Sequence, residues 1–119
     1  MMRKRYNMQK EDYLNFYYEN ISFQGELQLS AIKMIAEKRG QGAEYVSCSY
    51  DSEDEDYREG YVTLYFWKPA VSEDKIVYVD NMTFYKGLAE VCKKDIEKYP
   101  EHGDSLNEYL EKIKKDLLL

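Results

Sequence analysis

The chain has 119 residues, 23 acidic against 17 basic, for a net charge of −6 at neutral pH. That length fits one domain, 1–119, able to bury a core without disulfide or metal staples. The acid excess argues against a nucleic-acid partner, which would require a basic footprint. No apolar run nears the roughly 18 residues of a membrane span, so no membrane association is expected. The short basic start (Arg3, Lys4, Arg5) leads into no signal-peptide core, and a cytoplasmic location is expected.

Residues 10–21 place Tyr13, Leu14, Phe16, Tyr17 and Ile21 at spacings of one, three and four, which predicts a short amphipathic helix. Residues 22–25 are a break. Over 26–39, Leu27, Leu29, Ile32, Met34, Ile35 and Ala36 form a broad apolar stripe, with Lys38 and Arg39 in the last turn and Gly40 at the C′ position. Together these predict a second helix ended by a glycine in the left-handed conformation.

From residue 43 the period changes to two. Val46, Cys48 and Tyr50 alternate with Tyr45, Ser47 and Ser49, predicting a strand over 43–50. Residues 60–67 are β-branched and aromatic, with Val62, Leu64 and Phe66 on one face and Tyr61, Thr63, Tyr65 and Trp67 on the other. A strand apolar on both faces is central or covered twice. If helices cover only the aliphatic face, Tyr61, Tyr65 and Trp67 form an exposed contact stripe. Pro69 ends this strand, and residues 75–79 predict a third.

Asp80 and Asn81 cap a helix over 82–98, where Phe84, Tyr85, Leu88, Val91, Cys92, Ile96 and Tyr99 recur at helical spacing. After a break at 100–103, Ser105 and Glu108 read as a capping box for a last helix carrying Leu106, Tyr109, Leu110, Ile113 and Leu117. The fold class predicted is α+β, in the order αα-βββ-αα, with an antiparallel three-stranded meander packed against helices.

The two cysteines, Cys48 and Cys92, lie in apolar-periodic segments without metal-ligand spacing, which predicts buried free thiols. The single histidine, His102, falls in a polar turn and is expected to be exposed. No phosphate loop, serine elbow or zinc spacing is present, so no catalytic residue and no cofactor is assigned. An enzyme would have to use a carboxylate pair that nothing in the sequence singles out.

The most unusual stretch is the run 51–56, with Asp51, Glu53, Asp54, Glu55 and Asp56, followed at once by Glu59 and flanked by Tyr50, Tyr57 and Tyr61. Crowded like charges oppose folding, and no core requires them. Their physical use is to face a basic partner, with the tyrosines as apolar anchors. The bland alternative is a solvated acidic connector. A calcium loop starting at Asp51 would need Gly at its sixth position and Glu at its twelfth. Asp56 and Val62 stand there instead, so no metal site is predicted.

Several segments of the second half resemble the CdiI immunity proteins of contact-dependent growth inhibition systems. They are the acidic stretch with Glu59-Gly60-Tyr61-Val62, the strand exit Val77-Tyr78-Val79-Asp80-Asn81, and Phe84-Tyr85-Lys86-Gly87-Leu88. The run from Val91 and Cys92 to Pro100 and Glu101 belongs with them. The resemblance covers roughly residues 43–115. It implies a small protein that binds the C-terminal nuclease domain of a cognate toxin, a ribonuclease by the resemblance, and blocks it. An acidic adaptor or nucleic-acid mimic facing another basic protein shares the same charge logic. Self-association through an exposed aromatic strand is also left open.

Overall fold

The computed structural model describes residues 9–42 and 44–119. The basic start, and residue 43 at the head of the first predicted strand, lie outside the described residues.

Helix α1 (Lys10–Glu19) stops two residues short of the expected end. Asp12 accepts from the Gln9 backbone N–H at its start (2.9 Å), and at its end the Asn20 side chain donates back to the Phe16 carbonyl (2.8 Å). The expected break at 22–25 is a small hairpin of β1 (Ser22–Phe23) and β2 (Glu26–Leu27). Gln24 and Gly25 both sit at positive φ, as a tight two-residue hairpin turn requires.

The second helix is shorter than its apolar stripe. α2 is Leu29–Ala36, and the chain leaves it through Lys38 at φ 81. Arg39–Gln41 then form strand β3, which the helical reading of 26–39 concealed. Gly40 is therefore not a helix terminator. It lies opposite Cys48 in the sheet. A Cβ there would come within 2.5 Å of Ile35 Cγ1, 2.8 Å of the Tyr17 hydroxyl and 2.9 Å of Cys48 Sγ. Close approach of a strand to a helix, not backbone handedness, demands this glycine.

The main sheet has four antiparallel strands in the order β3-β4-β5-β6, with β4 at Val46–Ser49, β5 at Tyr61–Phe66 and β6 at Lys75–Asp80. The meander is thus four-stranded, not three-stranded, and the hairpin forms a second sheet. Pairing of Cys48 with Leu64 and of Leu64 with Val77 runs a continuous apolar row across the inner face. Val62, Leu64 and Phe66 are fully buried there against Tyr17, Ile32, Ile35, Phe84 and Leu88 from the helices. The outer face carries Ser47, Ser49, Tyr61, Thr63, Tyr65, Ile76 and Tyr78, following the alternation of the pleat.

Helix α3 (Asn81–Lys98) begins one residue before the expected start, with Asn81 already helical. Asp80 caps it, accepting from the Thr83 backbone N–H (3.0 Å) and hydroxyl (2.8 Å). A 3-10 turn (Pro100–His102) leads directly into α4 (Gly103–Asp116). Ser105 therefore lies inside the helix, and the predicted capping box does not form.

His102 is buried, contrary to its polar sequence surroundings. Its Nδ1 is 2.6 Å from Asp95 and its Nε2 is 3.2 Å from Glu26, while Tyr99 stacks on the ring. Asp95, itself buried, also accepts from the Leu27 backbone N–H (3.0 Å). One carboxylate thus ties the hairpin to α3 and to the turn before α4. Both cysteines are free and buried, as expected.

Candidate functional site: the acidic loop and the outer sheet face

The loop between β4 and β5 does not extend into solvent. It winds through successive turns, in which Asp54 N–H donates to the Asp51 carbonyl (3.0 Å) and Tyr57 N–H to the Asp54 carbonyl (3.1 Å). Asp51 accepts from the Glu53 N–H (2.9 Å), a local aspartate turn that also holds the Asp51 carboxyl below its ordinary range, with Arg39 adding to the effect. The loop then folds back across the outer face of the sheet. Asp56 accepts from the Tyr65 hydroxyl (3.2 Å), and Tyr78 donates to the Asp56 carbonyl (2.8 Å). Thr63, on that outer face, is buried as a result.

The six carboxylates separate into two groups. Asp51, Asp54 and Asp56 are half-buried and shape the loop. Arg39 braces the first two, Nε to Asp51 at 3.0 Å and Nη2 to Asp54 at 2.8 Å, and the Ser49 hydroxyl bonds to Asp54. Strand pairing of Arg39 with Ser49 makes this brace. Sequence reasoning missed Arg39 because it was assigned to a helix end. Glu53, Glu55 and Glu59 are exposed and enter no ion pair among the described residues. The outward charge comes from the three glutamates.

The sequence-predicted residues are brought together at two places. On one side of the loop, Asp54, Glu55 and Asp56 face Arg39, Tyr65 and Trp67 across an open groove of about 500 Å³. Tyr65 and Trp67 lie 5.6 Å apart, and Trp67 is 38% exposed. Of the stripe expected to be exposed, only Trp67 is so: Tyr65 is half-buried against the acidic loop, and Tyr61 is half-buried beside the other depression. On the other side, Tyr50, Tyr57, Glu59 and Tyr61 gather around a second depression with Asn81 and the end of α4. Tyr50 is buried in its wall, whereas Tyr57 is exposed at its rim. Arg58 turns back over the Tyr78 ring, 4.0 Å from its centroid, so this basic residue within the acidic segment is held against the sheet.

Burial raises the pKa of both Cys48 (to about 11) and Cys92 (to about 12), which keeps them as inert thiols. Among the described residues, no group of three or more His, Cys, Asp or Glu side chains converges as a metal site. Again among the described residues, no helix is long and apolar enough to cross a membrane.

These features define a class of protein: an α+β module presenting a braced acidic loop folded over the outer, aromatic face of its sheet. A family model for CDI immunity proteins, CdiI_4, matches residues 10–110, and the chain belongs to that family. No curated protein and no solved structure matches the chain. Membership implies a cognate toxin as partner and an inhibitory role for this chain.

Proposed function

We propose that this chain neutralises the nuclease domain of a cognate contact-dependent growth inhibition toxin, a ribonuclease, by docking its acidic loop against the basic cleft of that domain. The single observation that carries the reading is the division of labour within the loop. Asp51, Asp54 and Asp56 fix its path, while Glu53, Glu55 and Glu59 are exposed, without an ion pair among the described residues. An enzyme that grips a phosphate backbone needs clustered cations, and a preorganised row of carboxylates complements them with little further ordering. Tyr57, Tyr61, Tyr65 and Trp67 supply apolar area beside the charges, where bases of the substrate would otherwise stack. Steering by the field of the loop speeds capture, which suits an inhibitor that must act before RNA is cut.

The test is co-expression with the C-terminal domain of the large surface protein encoded upstream, followed by pull-down and a growth assay. A stable complex with rescued growth is expected. Toxicity undiminished by co-expression, with no complex recovered, overturns the reading.

A further inference from the structure

We propose that the depression at the exit of the acidic loop is a receptor for one arginine side chain of the toxin. The proposal deepens the toxin-binding reading above and takes the identity of the partner from it. The depression holds about 320 Å³, and its walls include Tyr50, Tyr57, Glu59, Tyr61, Asn81 and Leu117.

Two residues of these walls each carry a buried polar atom with no hydrogen-bond partner among the described residues: the Tyr50 hydroxyl and Asn81 Oδ1. Tyr50 is only 7% exposed, so an occupant meets its hydroxyl by displacing part of the wall. The Asn81 amide has a fixed orientation, because Nδ2 donates to the Leu117 carbonyl at 3.3 Å. The atom left over is therefore an acceptor. Folded chains rarely leave such groups unsatisfied, and two in the walls of one depression mark a place that something else completes.

The chemistry of the walls selects the occupant. Asn81 Oδ1 and the Glu59 carboxylate only accept. The Tyr50 phenol stays neutral, since burial raises its pKa above the ordinary range and Asp116 and Cys48 add to the effect. Its lone pairs are thus available to a donor. Asp116, also at the wall, is already held by Lys112 at 2.8 Å, so Glu59 is the wall carboxylate without an ion-pair partner among the described residues. An anion is repelled, and a neutral apolar group would leave the acceptors unmet. A guanidinium offers five donors in a planar fork that can serve three acceptors at once and lie against the Tyr57 and Tyr61 rings. A lysine ammonium has three donors and no plane to stack. A toxin that grips RNA carries arginines on the face this loop would cover.

The decisive variant is Tyr50→Phe, which deletes one oxygen and keeps the ring. If the hydroxyl waits for a partner, its removal leaves the denaturation midpoint unchanged or raised, while affinity for the toxin domain falls about tenfold. A purely structural hydroxyl would show the opposite pattern. N-acetylarginine amide titrated into the free protein and followed by NMR should give saturable shifts at Tyr50, Tyr61 and Asn81. Those shifts should be weaker with N-acetyllysine amide and abolished in Tyr50→Phe. A flat titration, an equal response to the lysine amide, or a Tyr50→Phe chain with full toxin affinity overturns the proposal. If the unaltered chain forms no complex with the toxin domain, the immunity reading falls, and the arginine titration still decides the site.

Discussion

His102 is the residue whose environment departs most from its sequence setting. The turn that carries it is polar, yet the ring lies between Asp95 and Glu26, stacked on Tyr99. The hydrogen bond from Asp95 raises its pKa above the ordinary 6.5, and the charges of Asp95, Glu26 and Glu101 reinforce this against the cost of desolvation. A raised folded-state pKa contributes stability that is fully present below the unfolded value and is lost as pH rises through the folded one. The urea midpoint should therefore be highest below about pH 6.5 and decline above it. In His102→Gln that decline should vanish, and an unchanged slope in the variant would show that other groups set it. Asp95→Ala should cost more, about 3 kcal/mol, because it also strands the buried Leu27 N–H. Equilibrium denaturation of the variant measures that loss directly.

At the scale of elements, strand β3 and the acidic loop depend on one another. Arg39 braces the loop only because Gly40 lets β3 approach α2 and α1 closely enough to join the sheet. Gly40→Ala should destabilise the fold by about 2 kcal/mol through overpacking against Ile35 and Tyr17. It should also loosen the loop, seen as faster amide exchange at Asp54 and Tyr57. Arg39→Ala removes the brace without touching the core. Its stability loss should stay within about 1 kcal/mol, since the guanidinium is largely exposed, while the same amides exchange faster. Loop protection that survives Arg39→Ala would show that Tyr65 and Tyr78 alone hold it. The helix expected over 26–39 ends early because Lys38 and Arg39, which suit a last helical turn, lead instead into β3. Propensity could not see that a strand edge was waiting for them.

On the whole-molecule scale, the acid excess of the chain is concentrated on the loop, and only part of it faces outward. Reversal of Glu53, Glu55 and Glu59 to lysine should leave the denaturation midpoint almost unchanged, since all three are exposed and, among the described residues, none is in an ion pair. The same triple variant should lower the association rate with the toxin domain by one to two orders of magnitude, about the range that steering supplies. The effect should shrink at high salt, where screening removes long-range attraction. Reversal of Asp51, Asp54 and Asp56 should instead unfold the loop. If both triple variants lose binding equally while remaining folded, the two groups do not play distinct roles.

The sequence by itself determined the α+β class, the central strand with its buried aliphatic face, the capped start of α3, the buried thiols and the unusual loop. Each of these rests on local periodicity or composition, which neighbouring residues write directly into the chain. Tertiary structure decided the fourth strand, the burial of His102, the sorting of the six carboxylates and the gathering of Tyr50, Tyr57 and Tyr61 with Asn81. These depend on pairings such as Arg39 with Ser49, or Asp95 with Leu27, between segments that meet only when the sheet closes over the helices. A carboxylate reads the same in sequence whether it faces solvent or a neighbouring strand, and only the fold says which.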